Sequence, residues 1–322
     1  MRTSRRLFAR VAPLALAVLV LAPAGASACS SCGCTLSSDM FAPAGDPGGF
    51  QADLRFDDFN QDQLRAGAGK FDRGSAQVPN ERELQSETVN RNYNLFLDYA
   101  PNADWGIAAQ IPYFNRYHAT IAPGDADTST SHTKSIGDAR LLARYRGLAS
   151  DRSVGLLFGL KLATGSFHEK FISGPQEGAP LDRGLQPGTG TTDLLLGAYT
   201  YGAANRDWDY FGEAILQQPL ASREGFRPGA GLNVSVGARY MSLEGITPQI
   251  QLNMRSERRE SGPDADVGNS GATLVFVSPG VTVQLTPKSS IYGFLQLPVY
   301  QRVNGLQIES RYSVSFGVRL AL

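Results

Sequence analysis

The sequence predicts an all-β chain, a closed up-and-down antiparallel β-barrel of about 12 strands whose outer face meets lipid. Three observations predict it. Apolar and polar residues alternate with period two in segment after segment. The connections between those segments are short and long by strict turns. The last twelve residues, "RYSVSFGVRLAL", still alternate at Leu322. Transmembrane barrels combine these traits: side chains face lipid and lumen alternately, turns are short on one side, loops are long on the other, and the strand count is even.

The pattern does not begin at once. "MRTSRRLFARVAPLALAVLVLAPAGASA" runs from Arg2, Arg5, Arg6 and Arg10 through a 12-residue apolar core to Ala26-Ser27-Ala28. That order is a secretory signal peptide with an A-x-A cleavage site. Its core is too short for a spanning helix, which needs about 20 residues. Cleavage would leave 294 residues, with 26 basic groups against 30 acidic, a formal charge of −4. A chain so charged is no polybasic nucleic-acid binder. The expected division is 1–28 signal peptide, 29–47 Cys-rich periplasmic segment, and 48–322 outer-membrane barrel. With 35 Gly, 12 Tyr and only 4 Met, the composition leans towards β structure.

The strands follow in order. "QADLRF" sets Phe50, Ala52, Leu54 and Phe56 against Gln51, Asp53 and Arg55. "VNRNYNLFLDY" sets Tyr93, Leu95, Leu97 and Tyr99 against Asn92, Asn94 and Asp98. "WGIAAQIPYFNRY" offers Trp105, Ile107, Ala109, Ile111 and Tyr113. "GDARLLARYRG" sets Leu141, Ala143 and Tyr145 against Asp138, Arg140 and Arg144. "VGLLFGLKLATG" sets Leu156, Phe158 and Leu160 against Gly155, Gly159 and Lys161. "TDLLLGAY" and "YFGEAILQQ" follow less cleanly; "GLNVSVGARY", "PQIQLNMR", "ATLVFVSPGVTVQL", "SIYGFLQLPVY" and the terminal strand complete 12. The short connections are "APNAD", "LASDRS", "GAANRD", "SLEGI" and "TPKSS"; the long ones cover 65–87, 119–135, 165–190, 219–229, 256–270 and 302–310. Tyr99, Trp105, Tyr145, Tyr201, Trp208 and Tyr240 flank the short turns, where an interfacial aromatic girdle is expected. A secreted sandwich or lipocalin-like barrel also alternates. The alternating loop lengths, the girdle and the charged second face favour the membrane barrel. "SFGVRLAL" at the end resembles the signal read by the barrel-insertion machinery of Gram-negative outer membranes.

Three stretches carry a closer resemblance: "IGDARLLARYR" (136–146), "GLLFGLKLATGSF" (155–167) and "LQPGTGTTDLLLGA" (185–198). They resemble the outer-membrane transporter family associated with the meta pathway of phenol degradation. Here Ala163 stands where that family shows proline in its P-T-G turn. The resemblance implies a barrel that moves small solutes, aromatic and other organic ones among them.

Parity places the charged side chains. Asp138, Arg140, Arg144, Lys161, Asp193, Glu213, Arg239 and Arg255 are the candidate selectivity residues of the lumen, with Asp53, Arg55, Asn92, Asn94, Asp98, Arg116 and Arg319 beside them. On the lipid face at mid-depth a charge costs about 2–4 kcal/mol, so these point inwards. They either line a conduit with a basic bias or pair with one another and fill it. Eight strands are just filled by side chains and 16 leave an aqueous channel; about 12 lies between. The Gly-rich stretch 174–193 lacks the Lys and helix of a phosphate loop and reads as an outer loop that folds inwards. His118, His132 and His168 show no held Ser–His or Asp–His pair, so no enzyme is expected.

The three cysteines all lie in "CSSCGC", as Cys29, Cys32 and Cys34, so no disulfide staples the body of the fold. A periplasmic disulfide or redox pair, a copper or zinc site with Met40 as a soft fourth ligand, a lipid anchor on Cys29, and a docking tag all fit these residues. The expected function is an outer-membrane channel for small solutes by passive or facilitated diffusion. The alternative is a barrel scaffold that serves a periplasmic redox or metal-carrying protein through those cysteines. The expected partners are outer-membrane lipid, the insertion machinery and a small-molecule solute, with no nucleic acid.

Overall fold

The computed structural model describes residues 49–322; the expected signal peptide and the three cysteines lie outside the described residues. The chain forms β1 (Phe50–Ala66), β2 (Gly69–Lys70), β3 (Leu84–Tyr99), β4 (Trp105–Ile121), β5 (Ser129–Ile136), β6 (Arg140–Tyr145), β7 (Val154–Lys161) and β8 (Asp193–Ala203). It continues with β9 (Trp208–Pro219), β10 (Gly231–Tyr240), β11 (Ile246–Glu257), β12 (Ala272–Thr286), β13 (Ser289–Val303), β14 (Leu306–Ser310) and β15 (Ser313–Ala321).

These segments make a closed 12-strand antiparallel barrel. β5 and β6 are two halves of one barrel strand, paired with the outer and inner parts of β4. β14 and β15 are likewise halves of the last strand, both paired with β1. β2 is a short hairpin return on the end of β1. β1 closes the ring by pairing with β3 from Phe50–Tyr99 to Gln61–Thr88 on its other edge. Through the apolar band every strand is paired on both sides, which satisfies the backbone there, the condition for standing in hydrocarbon.

Alternation sets the two faces. Leu54, Ile107, Leu141, Leu156, Leu196, Leu252 and Phe316 form part of a broad exposed apolar band, each more than a third exposed. A band this size on a monomer's surface marks contact with an apolar phase. At the short-turn end Trp105 packs on Tyr145 with ring centroids 4.9 Å apart, and Trp208 on Tyr240 at 5.2 Å. Tyr201 departs from the expected girdle. It shares the parity of buried Tyr199 and stacks on that ring inside the barrel.

Two connections are also shorter than expected. Residues 119–135 contain β5, and 302–310 contain β14. "STSHTKSI" has no apolar face because its outward side lies beyond the apolar band, yet its Ser and Thr side chains suit the ladder with β4. β14 is buried on both faces, and at five residues the alternation of Leu306 and Ile308 against Gln307 and Glu309 is too short to stand out from a loop.

Candidate functional site: the lumen and its inward loop

The lumen is layered. Near the short turns Arg144 donates to Asp98 at 2.8 Å, and both are almost wholly buried. Tyr292 Oη donates to Asp53 at 2.7 Å, and Arg319 Nε to the same carboxylate at 3.1 Å. Arg55 Nε pairs with Asp57 at 3.1 Å, which also accepts from Asn94 Nδ2 at 3.0 Å. Phe96, Ala108, Leu142 and Leu195 form an apolar cluster on the same inward faces. Buried pairs recover their desolvation only when well satisfied, and breaking one side is costly.

Above this layer the β5–β6 break seats a loop. Asp138 lies in the break, and Lys161 Nζ reaches it at 2.6 Å from the end of β7. Lys161 also pairs with Asp193 at 3.4 Å and donates to the Thr191 carbonyl at 3.0 Å. Asp138 further accepts from Gly165 N at 3.0 Å and Thr189 N at 2.9 Å. Three glycines let the segments meet: a Cβ on Gly188 would sit 2.4 Å from the Gly165 carbonyl oxygen, and one on Gly165 would sit 2.8 Å from the Gly137 backbone. The three stretches 136–146, 155–167 and 185–198 are thus one knot in space, drawn from two strand ends and a loop.

The knot holds the loop 162–192 across the lumen. Leu181 and Leu185 are buried, and Arg116 Nη1 on β4 donates to the Leu185 carbonyl at 2.8 Å. Arg183 lies between the Phe167 and Phe226 rings, its Cζ 4.7 and 4.8 Å from their centroids. Beneath the loop is a cavity of about 170 Å³. Arg55, Arg116, Arg140, Lys161, Arg183 and Arg255 face it against Asp57, Asp138, Glu257 and Glu260, six cations to four carboxylates.

The predicted site residues divide accordingly. Asp138, Arg140, Lys161 and Arg255 line the cavity. Arg140 Nη2 donates to Gln217 at 3.3 Å, and Arg255 pairs with Glu257 and donates to Asn233 at 3.0 Å. Asp193 is fully buried behind Lys161 and accepts from Gln217 at 2.6 Å. Arg144 belongs to the deeper layer with Asp98. Glu213 and Arg239 sit away from the cavity, where Arg239 covers the Phe211 ring at 5.3 Å. Parity could not find Arg183, Phe226 or Glu260, because all three lie in loops. The apolar layer was also missed, since Phe96, Leu142 and Leu195 interrupt otherwise polar inward faces. His118 Nδ1 bonds Thr88 Oγ1 at 2.8 Å, His132 bonds Asn115, and His168 bonds Glu224. Cys29, Cys32 and Cys34, the candidate copper or zinc ligands, lie outside the described residues.

At the long-loop mouth, Glu83, Asp182 and Asp266 bring carboxylate oxygens within 4.8 Å of one another from three loops. Among the described residues they are the one group so placed. Burial pushes the Glu83 carboxyl up to about 7, against the lowering effect of the hydrogen bond from Thr120. Burial raises Asp182 as well.

Fold and site together define a class: closed β-barrels with an apolar belt and a lumen crossed by an inward loop. The chain matches no family model and none of the curated proteins. Among solved structures it is similar to an outer membrane channel from Pseudomonas putida F1, with a TM-score of 0.60 and 15% identity over 86% of this chain and 96% of that one. The β-domain of the Bordetella autotransporter BrkA gives a TM-score of 0.48 at 15% identity, covering 85% of this chain and 100% of that one. The Pseudomonas putida toluene transporter TodX gives 0.43 at 11% identity, covering 92% and 96%. The first likeness shows a shared fold; the other two are too loose to add to it.

Proposed function

We propose that this protein is a bacterial outer-membrane channel for small solutes. Diffusion through it is passive or facilitated, and the loop 162–192 is the constriction. The observation that carries this is the seating of that loop, on the Asp138–Lys161 knot, over a cation-rich cavity inside a closed barrel. A loop pinned across a lumen by buried charge sets the width of the path, while Arg140, Arg183 and Arg255 set its sign. The solutes this lining favours are small and anionic or polar. Aromatic and other organic acids fall in that class, and the Phe114, Phe226 and Pro187 surfaces of the cavity give a ring something to lie on. The shared fold with a solved outer membrane channel supports the reading.

The test is conductance of the refolded mature protein in planar bilayers under a salt gradient. Unitary currents with a reversal potential of anion preference are expected. Arg140→Glu with Arg183→Glu should move that potential towards cation preference. A triple Cys→Ser variant at 29, 32 and 34 should carry the same currents. No current from a folded barrel would overturn the channel, and would leave the scaffold role of the Cys-rich segment as the reading to pursue.

A further inference from the structure

The second strand break leaves a groove that the channel reading does not use. The β13–β15 ladder runs from Ser289–Leu320 to Gln296–Ser313. Beyond it the last strand turns at 311–312, and β14 runs on hydrogen-bonded to β1, from Gln61–Ser310 to Ala66–Leu306. The upper part of β13 stays with β12. Between the outer ends of β1 and β13 lies an open groove of about 760 Å³, inside the range of sites that hold a drug-sized ligand.

Its lining is one-sided in charge. Arg65, Lys70, Arg73 and Arg311 face it against one carboxylate, Asp62. Arg65 Nη1 is held by the Ala68 carbonyl at 2.9 Å, and Arg73 Nη2 by the Gln85 and Ser86 carbonyls at 2.9 and 2.7 Å. Neutral acceptors hold both guanidinium groups, and buried Glu309 on β14 lies near enough to Arg65 to act on it electrostatically. Exposed Arg311 pairs with half-buried Asp62 at 3.1 Å at the edge of the groove, and such a rim pair is weak enough to yield to a stronger anion. On the β13 side the lining is Pro298, Val299 and Tyr300, with Val299 61% exposed, and the same outward face of β13 continues towards the belt with exposed Leu297 and Leu295. The groove is therefore amphipathic along the barrel axis, cations towards the long loops and apolar wall towards the belt.

We propose that this groove binds the phosphorylated head of an acylated glycolipid of the outer leaflet, with its acyl chains running from Val299 down the exposed face of β13 past Leu297 and Leu295. The proposal rests on the outer-membrane reading above, because the long-loop end then faces the leaflet built of such lipids. Guanidinium groups suit phosphate by bidentate, charge-assisted hydrogen bonds, and basic pockets beside membrane-spanning segments recognise anionic lipid heads.

The experiment measures binding of lipid A, of dephosphorylated lipid A and of inorganic phosphate to the folded mature protein in neutral detergent. Wild type is compared with a Lys70→Glu, Arg311→Glu variant. Lipid A should bind wild type at least tenfold more tightly than its dephosphorylated form, and the variant should lose that preference. Heat-modifiable migration on gels and bilayer conductance should stay as in wild type. Equal binding of both lipids would overturn the proposal in favour of an apolar surface only. Equal binding of phosphate alone would overturn it in favour of a free-anion site, and an unaffected variant would overturn it outright. Fractionation of cells reads the outer-membrane placement separately. A chain found elsewhere removes the leaflet and overturns the occupant, whereas a chain in the outer membrane that ignores lipid A overturns the groove alone.

Discussion

The break between β5 and β6 and the break between β14 and β15 each interrupt one barrel strand, at residues 137–139 and 311–312. At the first, a buried carboxylate takes Lys161 and two backbone amides, and three glycines let a loop press against the gap. At the second, the pair of exposed Arg311 with half-buried Asp62 and a Gln301 side chain on the Ser310 carbonyl at 2.8 Å are among the links across it. The difference is burial. A gap closed by buried charge becomes a fixed point from which a loop can reach into the lumen. A gap edged by exposed charge stays an accessible surface. The same defect in a ladder thus serves the inside of the barrel at one place and the outside at the other.

The comparison should break most sharply at Lys161. Lys161→Met leaves Asp138 and Asp193 buried without a cation, and should cost about 3–5 kcal/mol in urea unfolding from detergent. Adding Asp138→Asn and Asp193→Asn to Lys161→Met should recover much of that loss, since an unpaired charge is the expensive part. Glu83→Gln comes next. Burial raises its carboxyl from the usual 4.5 to about 7, facing Asp182, Asp266, Thr120 and Gln85. A raised folded-state value means the stabilising contribution is full below about pH 4.5 and is lost as pH rises through about 7. The three loops should therefore loosen between pH 5 and 8, by about 2–3 kcal/mol. Proteolytic nicking of the loops across that range reads it, and Glu83→Gln should flatten the profile. Gly188→Val forces its Cβ onto the Gly165 carbonyl and should cost about 1–3 kcal/mol by overpacking. It should also raise bilayer current, because the loop loses its seat. Smallest is Asp62→Ala at the exposed break, worth about 0–1 kcal/mol. A loss there as large as at Lys161 would dissolve the distinction between the two breaks.

The strands legible from sequence were those crossing the apolar band. There, one face must be apolar, and Leu54, Leu141 and Val318 show it as plainly in the sequence as on the surface. Beyond the band that pressure ends, so β5 and β14 read as loops. The lumen was legible as a parity and not as a map. Lys161 and Asp138 could be placed inside, but their meeting depends on Gly137, Gly165 and Gly188 touching across long stretches of chain. The resemblance in those three stretches flagged the residues without giving their reason. Arg183 had no parity to betray it. Glu213 and Arg239 had the right parity and the wrong neighbourhood. Tyr201 shows the converse error: an aromatic beside a short turn can face either way, and only the register with Tyr199 decides.

The most direct measurement is the unitary conductance of the refolded mature protein beside a variant in which residues 169–184 are replaced by a short Gly-Ser link. Both samples would first be shown folded by heat-modifiable migration. If the inward loop is the constriction, the shortened chain carries a steady current at least several-fold larger than wild type. Equal currents in the two, or none in either, would contradict it.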